Sequence, residues 1–176
     1  MTQGSKIQPL VEENLPKQFI YDLGLYLQTC ARIEVSCCAL VCTLEIVTGG
    51  SAEWHSRFSE LRKLPIKDLI KTVKSKSRKL PTGYASELVE LMDWLDRYQI
   101  NRHIAAHGAF YRNDTDQSLK VLYTHKKKEA GETHYRHEET EVTREMVLGF
   151  IADADRILRQ VETLDQIIMA GELKLL

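Results

Sequence analysis

The chain has 176 residues, of which 43% are hydrophobic and 28% charged, with a formal net charge of −1. That length suits a single domain with a sizeable core, and the composition is that of a globular chain rather than a disordered or fibrous one. A near-neutral balance excludes the strongly basic signature of a general nucleic-acid binder, so any such contact has to come from local patches. No signal-peptide pattern opens the sequence and no uninterrupted apolar run reads as a membrane span. The expected location is cytoplasmic, with no membrane partner.

In chain order, residues 1–13 are polar and expected to be loose. A long helix is predicted from about Leu15-Pro16 to Val47, with Pro16 in its first turn, where a missing N–H is harmless. Its apolar seam runs Ile20, Leu23, Leu27, Cys30, Cys37, Val41, Leu44, and Gly49-Gly50 ends it. Glu34 falls in a gap of that seam. An inward carboxylate there serves as a structural ion pair, reaches solvent, or orients a functional Arg or His. Cys30, Cys37, Cys38 and Cys42 all lie along this one helix, where bridging geometry is poor. No Cys-x-x-Cys is present, and they read as reduced, small core residues.

Ser51 is placed to cap a short helix reaching Leu64, with Trp54, Phe58 and Leu61 along it. Pro65 starts another, with Ile66, Leu69, Ile70 and Val73 inward. Its outer face and tail carry Lys67, Lys71, Lys74, Lys76, Arg78 and Lys79, a solvated face that is also the natural docking patch if the chain handles RNA. Pro81-Thr82-Gly83 is expected to break this helix. The next one, from about Tyr84 to Ala106, aligns Leu88, Leu91, Leu95, Tyr98 and Arg102 on one stripe. A polar turn follows at 112–116. Leu119-Val121-Tyr123 then alternates, Ala130-Gly131-Glu132 suits a turn, and the sequence from His134 returns, which predicts a β-hairpin of about 118–126 with 133–141. Thr143 caps a last helix reaching Met169, with Val147, Phe150, Ile151, Ala154, Leu158, Val161 and Ile168 inward. The expected fold class is mainly all-α: one domain, an up-and-down bundle of four to five helices, with a hairpin inserted at 118–141 before the C-terminal helix. No Gly-rich phosphate loop, His-Glu-x-x-His or nucleophile elbow is present.

The chemistry concentrates in Asn101-Arg102-His103-Ile104-Ala105-Ala106-His107-Gly108. An Arg at the end of an apolar stripe must be paired or face a cleft. A permanent cation and a titratable imidazole are the minimum parts for cleaving RNA without metal. On an ideal helix Arg102 and His107 are offset by about 140°. A long reach, a bent helix end or a second copy of the chain is needed to bring them together. His103 and His107, four apart, also suit one metal, with His125, His134 and His137 as further donors, but no carboxylate accompanies the helical pair. No metal or cofactor is expected. Asn101 either hydrogen-bonds phosphate or faces solvent. Phe110-Tyr111 is read as packing in preference to base stacking. Lys126-Lys127-Lys128 at the hairpin tip is a second basic patch.

This stretch resembles the HEPN superfamily, whose ribonuclease members carry an Arg, four to six residues, then a His, usually with a polar residue directly after the Arg. Arg102, His103 and His107-Gly108 match that pattern. Arg97 and His103 also satisfy the spacing. The Arg102/His107 register is preferred because Tyr98 is a poorer match than His103 after the Arg, and because the Ala-His-Gly ending is closer to the family. The resemblance implies a small helical homodimer with a composite site, acting as a metal-independent endoribonuclease in toxin–antitoxin, phage-defence or RNA-processing systems, with an antitoxin or other regulatory protein as partner. His107 is then the general base toward the ribose 2′-OH, Arg102 the group that steadies the phosphorane, and His103 or Asn101 an assistant. The products are a 2′,3′-cyclic phosphate and a 5′-hydroxyl. The alternative expectation is a catalytically silent HEPN-like module for protein–protein or nucleotide binding; a third is a scaffold in which Arg102 and His107 are structural.

Overall fold

The computed structural model describes residues 10–46, 48–129 and 132–176. The chain is mainly helical (68%), with six α-helices and one three-stranded antiparallel sheet among the described residues. Helix α1 (Leu10–Asn14) precedes α2 (Lys17–Leu44), α3 (Ala52–Leu61) and α4 (Ile66–Lys76). A 3-10 turn (Ser77–Lys79) leads to α5 (Thr82–His107). Strands β1 (Ala109–Arg112), β2 (Leu119–Glu129) and β3 (Glu132–Glu141) follow, and α6 (Arg144–Met169) completes the order.

Local chemistry explains most of these boundaries. The Ser51 hydroxyl accepts from the Trp54 amide at 3.1 Å and caps α3. The Thr143 hydroxyl accepts from the Met146 amide at 3.2 Å at the start of α6. The preceding helix ends before Pro81 as expected, and α5 starts at Thr82, two residues earlier than the predicted Tyr84, with Thr82 and Gly83 in its first turn. Residues 10–13, expected to be loose, belong to the one-turn helix α1, while 1–9 and the hairpin turn at Ala130-Gly131 lie outside the described residues.

By their contacts the described residues fall into two compact units. The first comprises residues up to Leu27 together with Asn101–Ile151; the second comprises Gln28–Ile100 together with Ala152–Leu176. The second is helical, with a core that includes Ile33, Leu40, Val41, Met92, Ile157 and Val161. All four cysteines are buried in it as free thiols. Burial pushes the Cys37 thiol up to about 12 and the Cys38 thiol up to about 11, so both stay protonated at neutral pH. A charged cluster ties three helical segments together. Glu45 accepts from Arg57 Nε at 2.8 Å and Nη2 at 3.0 Å, and pairs with Lys76 Nζ at 2.8 Å. The Arg156 guanidinium lies 3.9 Å from the centre of the Trp94 ring, a cation–π contact.

The first unit is built on the sheet, in the order β1-β2-β3. The hairpin was expected, and its register pairs Lys120 with Glu141 and Glu129 with Glu132, extending the ladder three residues beyond the predicted end of its first strand. Strand β1 was not expected. Arg112, assigned to a turn, is its last residue and pairs with Leu119. The turn is shorter, and is held by Asn113 Oδ1 accepting from the Thr115 amide and Asp116 Oδ1 from the Ser118 amide. Partners across a ladder share a face, so Phe110, Val121 and Tyr123 lie on one side and Tyr111, Lys120 and Glu139 on the other. The first side packs into a cluster with Phe19, Val142 and Val147. Phe110 meets Phe19 edge-on at 5.5 Å, which gives it the packing role rather than an exposed stacking one. Asp22, buried on α2, accepts from Gln18 at 2.8 Å and from Arg144 Nε at 2.7 Å, and these bonds hold its carboxyl below the usual range.

Helix α2 is long and apolar enough to cross a membrane by length and composition, although no such run was expected. Its most apolar 18-residue window has a mean hydropathy of 1.3, and 44% of that window is buried within the protein.

Candidate functional site

The motif occupies the last two turns of α5, within the first unit. The helix ends because the Gly108 amide closes the final turn onto the Ile104 carbonyl at 2.7 Å and the chain then enters β1. Gly108 is required by a close approach. A Cβ there would sit 2.6 Å from the Ile104 carbonyl oxygen and nearer still to the Val121 side chain. Only glycine lets β2 pass so close to the helix end. The His-Gly pair that resembled a family mark therefore has a packing cause for its second member.

His103 and His107 are both exposed, one helical turn apart, with ring centroids 4.9 Å from each other and the rings inclined at 52°. Arg102 and Asn101 are half-buried. Arg102 was expected inside an apolar stripe. Leu88, Leu91 and Leu95 are buried as that stripe requires, but Tyr98 and Arg102 are only half-buried, so the stripe opens toward solvent before the motif begins. Asn101 lines a cavity of about 140 Å³ with Tyr26, Ile104, Phe110, Tyr123 and Phe150. Nothing in the local sequence pointed to that position; it depends on β1 and on the register of the sheet.

The other candidates, Arg97 and Glu34, fall in the second unit. Arg97, the Arg of the overlapping register, is exposed and belongs to the second unit, beside Tyr98, whose ring meets Trp94 edge-on at 5.4 Å. Glu34 also belongs to the second unit, where its charge contributes to raising the thiols of Cys37 and Cys38. The four remaining residues, Asn101, Arg102, His103 and His107, share one stretch of helix in the first unit.

Of the lysine-rich segment, Lys71, Lys74 and Lys76 each pair with a carboxylate, from Asp68, Asp93 and Glu45 respectively. The hairpin histidines do not converge. His125 faces Glu138 at 3.5 Å on one side of the ribbon, and His137 Nδ1 lies 2.8 Å from the Thr124 hydroxyl on the other. Among the described residues, no three His, Cys, Asp or Glu side chains are grouped to hold a metal ion.

Sequence reasoning missed a polar ladder on the outer face of the sheet. Glu139 accepts from Lys120 at 2.8 Å and from the Tyr111 hydroxyl, which holds its carboxyl below the usual range and raises the phenol. On the other face, Tyr123 donates to Glu138 at 2.7 Å. The bonded partners are 15 to 28 residues apart in sequence and become neighbours only through the strand register. No protein-family model, no curated protein and no solved structure matches this chain.

Proposed function

We propose that the chain is a metal-independent endoribonuclease of the HEPN type, with an up-and-down bundle arrangement, acting in the cytoplasm as a homodimer under the control of an antitoxin or similar partner. The observation that carries this reading is the pair of exposed imidazoles 4.9 Å apart at the end of α5, next to a half-buried Arg102. Neighbouring imidazoles suit acid–base chemistry at neutral pH, and a guanidinium suits a phosphate. In the proposed reaction His107 removes the proton from a ribose 2′-OH. The freed oxygen attacks the adjacent phosphorus, Arg102 steadies the charge on the pentacoordinate phosphorane, and the 5′-oxygen leaves with a proton supplied by His103 or water. Arg102 and His107 diverge on one helix, so a second copy across a two-fold axis completes the site.

The test is incubation of the full chain with a mixed RNA pool in excess EDTA, followed by analysis of the ends. Fragments with 2′,3′-cyclic phosphate and 5′-hydroxyl termini are expected. Intact RNA, or cutting that needs added zinc, defeats the proposal. The competing reading is a catalytically silent helical module for protein or nucleotide binding. It draws support from Gly108, whose packing role accounts for part of the motif without chemistry.

A further inference from the structure

The second unit contains a cavity of about 670 Å³, well away in sequence from the Arg-His motif, among the C-terminal half of α2, the start of α3, the end of α6 and the segment that follows it. Its volume falls in the range of about 300–1,000 Å³ usual for small-molecule sites. The walls are largely apolar and include Ile46, Trp54, Ile168 and Met169. Thr43 and Asp165 are the polar side chains of interest, and the Thr43 hydroxyl is hydrogen-bonded to the Asp165 carboxylate. The second carboxylate oxygen, Oδ1, is sealed from solvent and has no hydrogen-bond partner among the described residues. Leaving a buried carboxylate oxygen unmatched is costly, and its surroundings raise the Asp165 carboxyl above its ordinary value through desolvation.

We infer that this cavity binds a small organic amine with an apolar body, its ammonium group donating to Asp165 and its hydrocarbon part lying against Trp54, Ile168 and Met169. A cation on the Asp165 side of the cavity compensates the desolvated charge, and a small rotation of the carboxylate brings Oδ1, which lacks a donor, to the ammonium group. Lys174, exposed at the same cavity, offers the chain's own ammonium as a rival occupant. The inference is independent of the ribonuclease reading and uses none of its residues.

The experiment is an NMR titration of the full-length chain with n-hexylamine, n-hexanol and hexanoate at neutral pH, following the Trp54 indole and the Thr43 and Gly171 amides. Saturable shifts with hexylamine are expected, with affinity about tenfold or more above that of hexanol and no binding of hexanoate, the margin of one charge-assisted hydrogen bond. Asp165→Asn keeps the shape and removes the charge, so it should fold and lose that margin. Equal binding of hexylamine and hexanol, an unchanged affinity in Asp165→Asn, or no shifts at all overturns the proposal. Hexylamine binding that appears only in Lys174→Met also overturns it, because the chain's own ammonium then fills the place.

Discussion

The two units achieve their stability differently. The helical unit of Gln28–Ile100 and Ala152–Leu176 buries long aliphatic side chains almost completely, with Leu40, Val41, Met92 and Val161 at zero exposure. The unit built on the sheet has a smaller buried set, chiefly Phe19, Val121, Val142 and Val147, and adds exposed polar ladders across strands and the Asp22–Arg144 pair. The motif sits in the second of these settings. The exposed imidazoles of the motif lie where packing is lighter, while the densely packed unit carries the thiols, which burial keeps protonated.

The largest expected effect comes from testing whether the wet unit is chemical at all. His107→Ala and Arg102→Ala should each lower RNA cleavage by roughly 10²–10⁴-fold, the usual worth of a positioned proton-transfer group or a charged stabiliser. Because His107 is exposed, its removal should leave the thermal melting temperature nearly unchanged. Arg97→Ala, in the other unit, should keep full activity; if it alone abolishes cleavage, the overlapping register is the functional one.

Core substitutions sharpen the contrast. Met92→Ala, which empties a fully buried site, should cost about 2–5 kcal/mol in a denaturant titration. Gly108→Ala tests the sheet unit from the opposite direction by adding a methyl group where no space exists. It should cost about 1–3 kcal/mol. A neutral outcome there removes the packing explanation of the His-Gly pair and returns weight to a chemical one.

The smallest effect is electrostatic. Arg57 and Lys76 hold the Glu45 carboxyl down to about 2, against an ordinary 4.5. A depressed acid stabilises the fold when ionised, so this contribution is present above about pH 4.5 and is lost as pH falls from there toward 2. Glu45→Gln should flatten that part of the stability–pH curve and cost about 1–2 kcal/mol at neutral pH, at the low end for a charge-assisted network because Arg57 is partly exposed. An unchanged acid limb would show that the cluster adds nothing to stability.

The parts of this fold legible in the sequence are those whose signals are local. Helical periodicity placed α2, α5 and α6, Ser51 and Thr143 marked helix starts, and the alternation Leu119-Val121-Tyr123 marked the hairpin. Strand β1 escaped because four residues hold too little alternation to register, and only pairing with β2 makes Ala109–Arg112 a strand. The helix stripe predicted which face Arg102 shares with Leu88, Leu91 and Leu95, but not where that face opens to solvent, since that depends on elements distant in sequence. The same reason hid the cavity beside Asn101 and the carboxylate of Asp165. A helical carboxylate on a partly apolar face looks alike in sequence whether or not its second oxygen finds a donor.

Strand β3 has a further consequence for how the chain behaves in a crowded solution. It forms one edge of the sheet, and its residues from Thr133 to Glu141 are exposed. An open edge offers unpaired backbone groups to any extended segment that drifts past, including a partly unfolded copy of the same chain. Here that edge is studded with Arg136, Glu138, Glu139 and Glu141, so an incoming strand must bring matching charges or bury unmatched ones. In the folded protein the edge is thereby guarded against sticking indiscriminately.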